Sequence, residues 1–227
     1  MELIELENKE NLSMKNYVYK ILKKNILELR LKPGKNLRKE EIAENLQVSR
    51  TPIREAFLKL AEEALIDVYP QRGTYVSYID LDNVEEAKFM RQTLEKAVVK
   101  LACNLLTEDV LFKLRTNIKL QEMTSSQSDF LNFFRHDNNF HKILFDSCHK
   151  SNIWNAMDQM SNHLNRFRIL SLKEKFNSKE LIEEHLDIYK ALENQDEEKV
   201  EKIMKEHIER VRIDANILKR EHPEYFK

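Results

Sequence analysis

The sequence predicts a mainly α-helical protein in two parts. Three helices and a β-hairpin make the front, and an all-helical bundle of about six helices makes the rear. Three observations carry this. The 227 residues are 41% hydrophobic and 34% charged, a mix that suits a folded chain with a real core. Only two glycines occur, Gly34 and Gly73, where average usage gives about 16, so long helices and short loops are expected. Apolar residues recur at helical spacing throughout, except in two short β-type runs on either side of residue 70.

The elements follow in order. An acidic leader covers residues 1–13. The first helix is expected over 14–29, with Val18, Ile21, Leu22, Ile26 and Leu29 on one face and Lys32-Pro33-Gly34 as its stop. A short helix over 39–46 turns Ile42, Ala43 and Leu46 inward. Gln47-Val48-Ser49 makes a tight turn, Ser49 caps the next helix, and Pro52 falls in its first turn, where the missing N–H costs nothing. No Glu or Gln stands three residues on, so the cap rests on Ser49 alone. Ile53, Ala56, Phe57 and Leu60 give that helix its inward face. Ile66–Tyr69 and Thr74–Ser77 read as strands around Pro70-Gln71-Arg72-Gly73, a hairpin with a glycine in its loop. This layout over residues 14–78 is that of a winged helix-turn-helix. Beyond it, over 79–227, six helices are expected, roughly 82–106, 108–124, 128–148, 151–173, 178–193 and 196–220, with polar breaks at 121–129 and 176–178. They should form one bundle.

Several function classes are excluded. Glycine-rich phosphate loops are absent. No run longer than seven residues lacks Asp, Glu, Lys or Arg, so no transmembrane helix is expected. The acidic start has no basic region of the kind that opens a secretory signal. Cys103 and Cys148 form no framework and no CxxC, and read as buried thiols of a cytoplasmic protein. The net charge of −1 hides an asymmetry. Residues 14–78 hold 13 Lys/Arg against 8 Asp/Glu, and residues 79–227 hold 24 against 27. A basic front and a mildly acidic rear suggest two functions on one chain.

In a helix-turn-helix the first residues of the second helix meet base edges. Here they are Ser49-Arg50-Thr51-Pro52-Ile53-Arg54. Arg50 and Arg54 share one face, and an arginine fork pairs bidentately with guanine. Ser49 and Thr51 can donate to phosphates, Arg72 at the wing tip can reach a groove or a phosphate, and Gly73 lets the wing turn tightly. The partner this implies is double-stranded DNA.

Leu37-Arg38-Lys39-Glu40-Glu41-Ile42-Ala43-Glu44, then Val48 through Ala56, then Gln71-Arg72-Gly73-Thr74-Tyr75-Val76, resemble the GntR family of bacterial repressors. The resemblance implies operator contacts from Arg50, Thr51, Arg54 and Gly73. Many members carry Arg where this chain has Glu40, a place that Arg38 and Lys39 can fill. The usual glycine after the recognition helix is replaced by Ala64.

In the rear half the instructive residues are polar ones on apolar stripes. Phe130, Phe133, Phe134, Leu144 and Cys148 line the third bundle helix, interrupted by Asp137 and His141 at i and i+4. His185 interrupts Leu181, Ile188, Tyr189 and Leu192, and His207 interrupts Val200, Ile203, Met204 and Val211. An unpaired buried polar group is costly, and a divalent ion would satisfy all four residues together. Three nitrogens and one oxygen suit zinc, nickel or manganese. The competing reading is three hydrogen-bonded core histidines. His136, His149, His163 and His222 fall off the pattern and read as surface or locally bonded residues.

The bundle resembles the FCD ligand domain of FadR-type regulators in the Asp137/His141 pair and in His185 and His207. That resemblance implies metal binding through these residues. Six bundle helices resemble the VanR subgroup, seven the FadR subgroup. It also implies that Arg91, followed by Glu95, faces the effector cavity and grips a carboxylate; the bland alternative is an Arg91–Glu95 salt bridge. The whole then reads as a homodimeric, metabolite-responsive regulator, not an enzyme, binding a pseudopalindromic operator under control of a small organic acid. A regulator that senses the metal itself is the first alternative. A metal-dependent hydrolase is the second, and no general base or nucleophile motif supports it.

Overall fold

A computed structural model describes residues 3, 12–174, 178–209 and 211–227, with the backbone alone over 211–214. Most of the expected leader, residues 175–177, which take in 176 and 177 of the second polar break, and the side chain of Val211 lie outside the described residues. The front holds α1 (Met14–Leu27), α2 (Lys39–Leu46), α3 (Arg50–Glu62), β1 (Ile66–Tyr69) and β2 (Gly73–Val76). The rear holds α4 (Leu81–Leu105), α5 (Glu108–Ser126), α6 (Phe130–Ser147), α7 (Ser151–Met160), α8 (Asn162–Glu174), α9 (Ser178–Glu193), α10 (Glu197–Glu209) and α11 (Val211–Glu221). The chain is therefore mainly α-helical, a winged helix-turn-helix followed by a helical domain.

Each part has its own core. Tyr17, Val18, Ile21, Ile42, Ile53, Phe57 and Leu60 meet in the front cluster, and Phe133, Phe140, Phe145, Phe167 and Ile188 in the rear one. Leu29 departs from expectation. α1 stops at Leu27, and Leu29, at φ +57°, turns its side chain into the rear core. The hairpin is antiparallel, with Ile66 opposite Val76 and Tyr69 opposite Gly73. Gly73 is thus in the strand, not the loop. Its φ is +122°, and a Cβ there would stand 3.3 Å from the Tyr75 ring, so glycine is required. The loop's left-handed residue is Gln71, at φ +62°.

The end of α1 is not the only departure from the sequence reading. The last of the six expected helices, 196–220, is α10 and α11 on either side of residue 210, which lies outside the described residues, and two further readings differ. α5 runs on to Ser126, so Gln121 is helical and buried, not part of a polar break. The fourth bundle helix, expected as one over 151–173, is two. Ser161 breaks it, its hydroxyl donating back to the Met157 carbonyl at 2.7 Å. α8 beyond the break is buried on almost every side, from Asn162 to Phe167, and so carries no stripe for a sequence to show.

The joint between the parts is pinned. The Ile79 N–H donates to the Tyr225 carbonyl at 2.8 Å, and the Lys227 N–H to the Ile79 carbonyl at 3.1 Å. α8 adds three further ties. Asn162 Nδ2 donates to the Glu63 carbonyl at 3.1 Å, Arg166 Nη2 to the Ser77 carbonyl at 2.6 Å, and the Asp80 N–H to His163 Nδ1 at 3.1 Å. His163 is therefore a buried junction residue, correcting its reading as a surface or local one.

Candidate functional site

At the front, Ser49 holds the extended N-cap position of α3, but its hydroxyl makes no capping bond. The cap expected of that side chain is absent. Arg50, Thr51 and Arg54 stand exposed along the first turns of α3, and Arg72 is exposed at the hairpin tip. Arg38 is exposed at the N-cap of α2, while Lys39 lies 5.8 Å from the Phe57 ring centroid. Glu40, where the family usually has Arg, reaches Arg50 Nη2 at 3.4 Å. Ala64 takes up the left-handed conformation of the missing glycine, at φ +55°.

In the rear, four side chains from three helices converge. Asp137 and His141 come from α6, His185 from α9 and His207 from α10. Each offers one ligand atom, these atoms lie within 4.8 Å of one another, and all four residues are buried. Their helices supply the placement. The apolar stripes seal α6, α9 and α10 together and carry the polar interruptions inward.

The protonation pattern can be read from the outer contacts. Gln121 Nε2 donates to Asn117 Oδ1 at 2.8 Å, so Gln121 Oε1 is free to accept, and it receives His185 Nδ1–H at 2.8 Å. His207 Nδ1–H donates to Glu184 Oε2 at 2.7 Å. His141 Nδ1 lies against Glu95 Oε2. His185 and His207 thus have acceptors at Nδ1 and turn Nε2 to the centre, which is how metal-ligating histidines are oriented, while His141 Nδ1 is close to Glu95 without a hydrogen bond to it. His185 Nε2 is buried without a hydrogen-bond partner and stands 3.8 Å from Asp137 Oδ1.

The electrostatics favour the same atoms. Burial, then the Arg91 charge, holds the His141 ring well below the usual histidine range; burial, then His207, does so for His185. Both rings stay neutral and keep a lone pair. Burial is the largest single influence on the Asp137 carboxylate and works against it, but the Arg168 guanidinium, His141, His185 and Arg91 together outweigh burial and hold the carboxyl well below its usual range. Neutral imidazoles and an ionised carboxylate are the forms a divalent cation needs. The residues present fit such an ion.

Arg91 satisfies part of each reading of it. Its Nε pairs with Glu95 Oε1, the intramolecular bridge, while its Nη2 is buried with no hydrogen-bond partner. The sequence reading missed four contributors. Arg168 on α8 binds Asp137 and, through Nη1, Asn138 Oδ1 at 2.7 Å. No stripe marked α8, so Arg168 had no signal. Glu184 was lost among the charges of its helix. Gln121 and Asn117 did have one, for they interrupt the buried positions Leu114 and Ile118 at helical spacing.

Comparison with known proteins agrees with this organisation. Residues 86–210, more than half the chain, match the FCD domain, and residues 14–76 match the bacterial regulatory proteins of the gntR family. The HTH-type transcriptional repressor RspR of Escherichia coli K12 is 34% identical over 154 residues, which cover 68% of each chain. Among solved structures, McbR/YncC of E. coli superposes with a TM-score of 0.76 at 23% identity, covering 93% of this chain and 99% of that one. A transcriptional regulator of GntR type from Rhodococcus sp. RHA1 gives 0.74 at 24%, covering 91% and 98%. These two likenesses speak for the fold. No helix among the described residues is long and apolar enough to cross a membrane. The chain belongs to the GntR family of transcription regulators, with a winged helix-turn-helix in front of an FCD domain, and is not an enzyme.

Proposed function

We propose that this regulator is a homodimeric repressor whose operator affinity is set by a small carboxylic acid bound beside a divalent metal in the bundle. The observation that carries the proposal is the buried set Asp137, His141, His185 and His207 with its histidine Nε2 atoms turned to one centre. Zinc, nickel or manganese would be held there, and such an ion supplies a Lewis-acid anchor for a carboxylate. Arg91 lies in the same field, with one N–H pair uncommitted, and grips the acid. That orphaned group favours the metabolite reading over a regulator in which the ion alone is the signal.

On DNA, Arg50 and Arg54 read base edges, Ser49, Thr51, Arg38 and Lys39 take phosphates, and Arg72 and Gly73 place the wing. Two protomers present these elements to a pseudopalindromic operator in the cytoplasm. α8 joins the two functions. Arg168 near its middle holds Asp137, and Asn162 and Arg166 near its start hold the winged domain, with His163 on the adjoining Asp80. A change at Asp137 that moves α8 moves the recognition helix, a coupling worth about 1–3 kcal/mol.

The test uses an operator selected from genomic fragments. Its affinity for chelated protein is measured by fluorescence anisotropy, then with each of the three ions, then with two- to six-carbon carboxylic acids. The reading expects an acid response that requires the ion. Full control by the ion alone gives the metal-sensor reading. No preference for any fragment over random duplex under any condition overturns both.

A further inference from the structure

A groove of about 280 Å³ runs between α1 of the winged domain and α6 and α8 of the bundle. Its floor is apolar, built by Leu27, Leu131, Phe134 and Ile169. Its rim carries four cations, Lys20, Lys23, Lys24 and Arg135, against one carboxylate, Glu28. Two of the cations there are committed, Lys23 to Glu63 at 2.7 Å and Arg135 to Glu28 at 2.6 Å. The other two, Lys20 and Lys24, make no ion pair or hydrogen bond among the described residues. They stand i, i+4 on one face of α1, where like charges repel. The chain thus keeps two uncompensated ammonium groups beside an open apolar floor.

We propose that this groove is a second ligand site, for a small amphiphilic anion with a short alkyl or single-ring body. The body would cover Leu27, Leu131, Phe134 and Ile169, and the anionic head would lie between Lys20 and Lys24. A neutral apolar molecule would leave the ammonium repulsion in place, and a cation would add to it. The volume sits just below that of drug-sized pockets, which sets the scale of the body. The site is separate from the metal set, although Phe134 reaches the partner of one of its members, for Arg168 binds Asp137. The Phe134 ring carries the Arg168 guanidinium at 4.8 Å from the centroid. An occupant would also touch α1 and the bundle together, so it bears directly on how the two parts are held.

The probe is 1-octanesulfonate, which stays ionised at all working pH values and is a poor metal ligand. Binding to the chelated full-length protein is measured by isothermal titration calorimetry, with octylammonium as the charge-reversed control. The sulfonate should bind and octylammonium should not. Lys20→Gln/Lys24→Gln should weaken the sulfonate at least tenfold, as should Leu131→Glu, with the circular-dichroism melt of each variant confirming its fold. His185→Ala should leave the affinity unchanged, which separates this site from the metal centre and makes the result independent of the metal reading. Sulfonate affinity that survives the double lysine substitution, or that falls in His185→Ala instead, overturns the proposal. So does a double variant that loses only operator affinity, which would assign the two lysines to DNA.

Discussion

His207 Nε2 stands 3.2 Å from His141 Nε2, and the other nitrogen of each ring faces a carboxylate, Glu184 for His207 and Glu95 for His141. With His207 Nδ1 donating to Glu184, the His207 Nε2 lone pair faces the His141 ring nitrogen across that gap. Such an arrangement asks for a cation between them. His185→Ala should therefore lose bound metal by elemental analysis while keeping operator affinity. Gln121→Leu, which removes the acceptor that fixes the His185 tautomer and also the bond to Asn117, should weaken the metal about 10–100-fold. Full occupancy in His185→Ala would remove His185 from the ligand set.

Arg168 and Asp137 form the one charge pair among the described residues that joins the donor set to α8. Arg168→Met leaves the Asp137 carboxylate buried without its guanidinium. The chelated variant should lose about 3–5 kcal/mol in denaturant unfolding. Metal should then restore more stability to the variant than to the parent, because the ion becomes the carboxylate's main counter-charge. Its operator affinity should no longer follow the metal. Equal stability in the two chelated proteins would show the pair to be incidental.

Ala64 sits at φ +55°, a left-handed conformation that costs an L-residue about 1–2 kcal/mol. Ala64→Gly relieves that strain and gives back part of the gain through the freer unfolded chain. The net change should be a stabilisation of about 0.5–1 kcal/mol, read as a higher denaturant midpoint at unchanged slope. A destabilised variant would mean that the Ala64 methyl makes a packing contact worth more than the strain.

Arg54→Ala should weaken the specific operator by about 1–3 kcal/mol with little effect on random duplex. Glu40→Gln should do the reverse in kind. It frees Arg50 from its 3.4 Å partner and removes a negative charge beside the DNA-facing turn, so affinity should rise for all sequences. Gel shifts over a salt series separate the two, since only the second effect is sequence-independent.

His163 carries a pH dependence of stability. Burial, then the Arg166 charge, pushes its ring down from the ordinary 6.5 to about 4. Above pH 6.5 the ring is neutral in both states and changes nothing. As pH falls from about 6.5 toward 4, the unfolded chain binds a proton that the native ring refuses, and stability declines. Below about 4 the native ring protonates too and the decline from this group ends. His163→Gln keeps an acceptor for the Asp80 N–H and should flatten the profile in that window. Superimposable profiles of the two proteins would place the acid sensitivity elsewhere.

Much of this protein was legible as text, for a reason that lies in periodicity. Ile53, Ala56, Phe57 and Leu60, or Phe133, Phe134 and Leu144, repeat as a helix repeats, so the elements and their buried faces could be written down before any coordinates. The same rule exposed Asp137, His141, His185 and His207, because a polar residue on an apolar stripe must point where the stripe points. The sequence also placed the arginines of α3, since the first turn of a recognition helix is defined by the chain itself. What only the tertiary structure decided involves partners far apart in sequence. Arg168 meets Asp137 because α8 crosses α6, and a helix buried on all sides shows no stripe. Likewise, Gln121 faces His185, Glu184 faces His207 and α1 lines one groove with Phe134 only after the helices have packed. Local spacing determines which way a side chain faces; three-dimensional packing alone determines what it finds there.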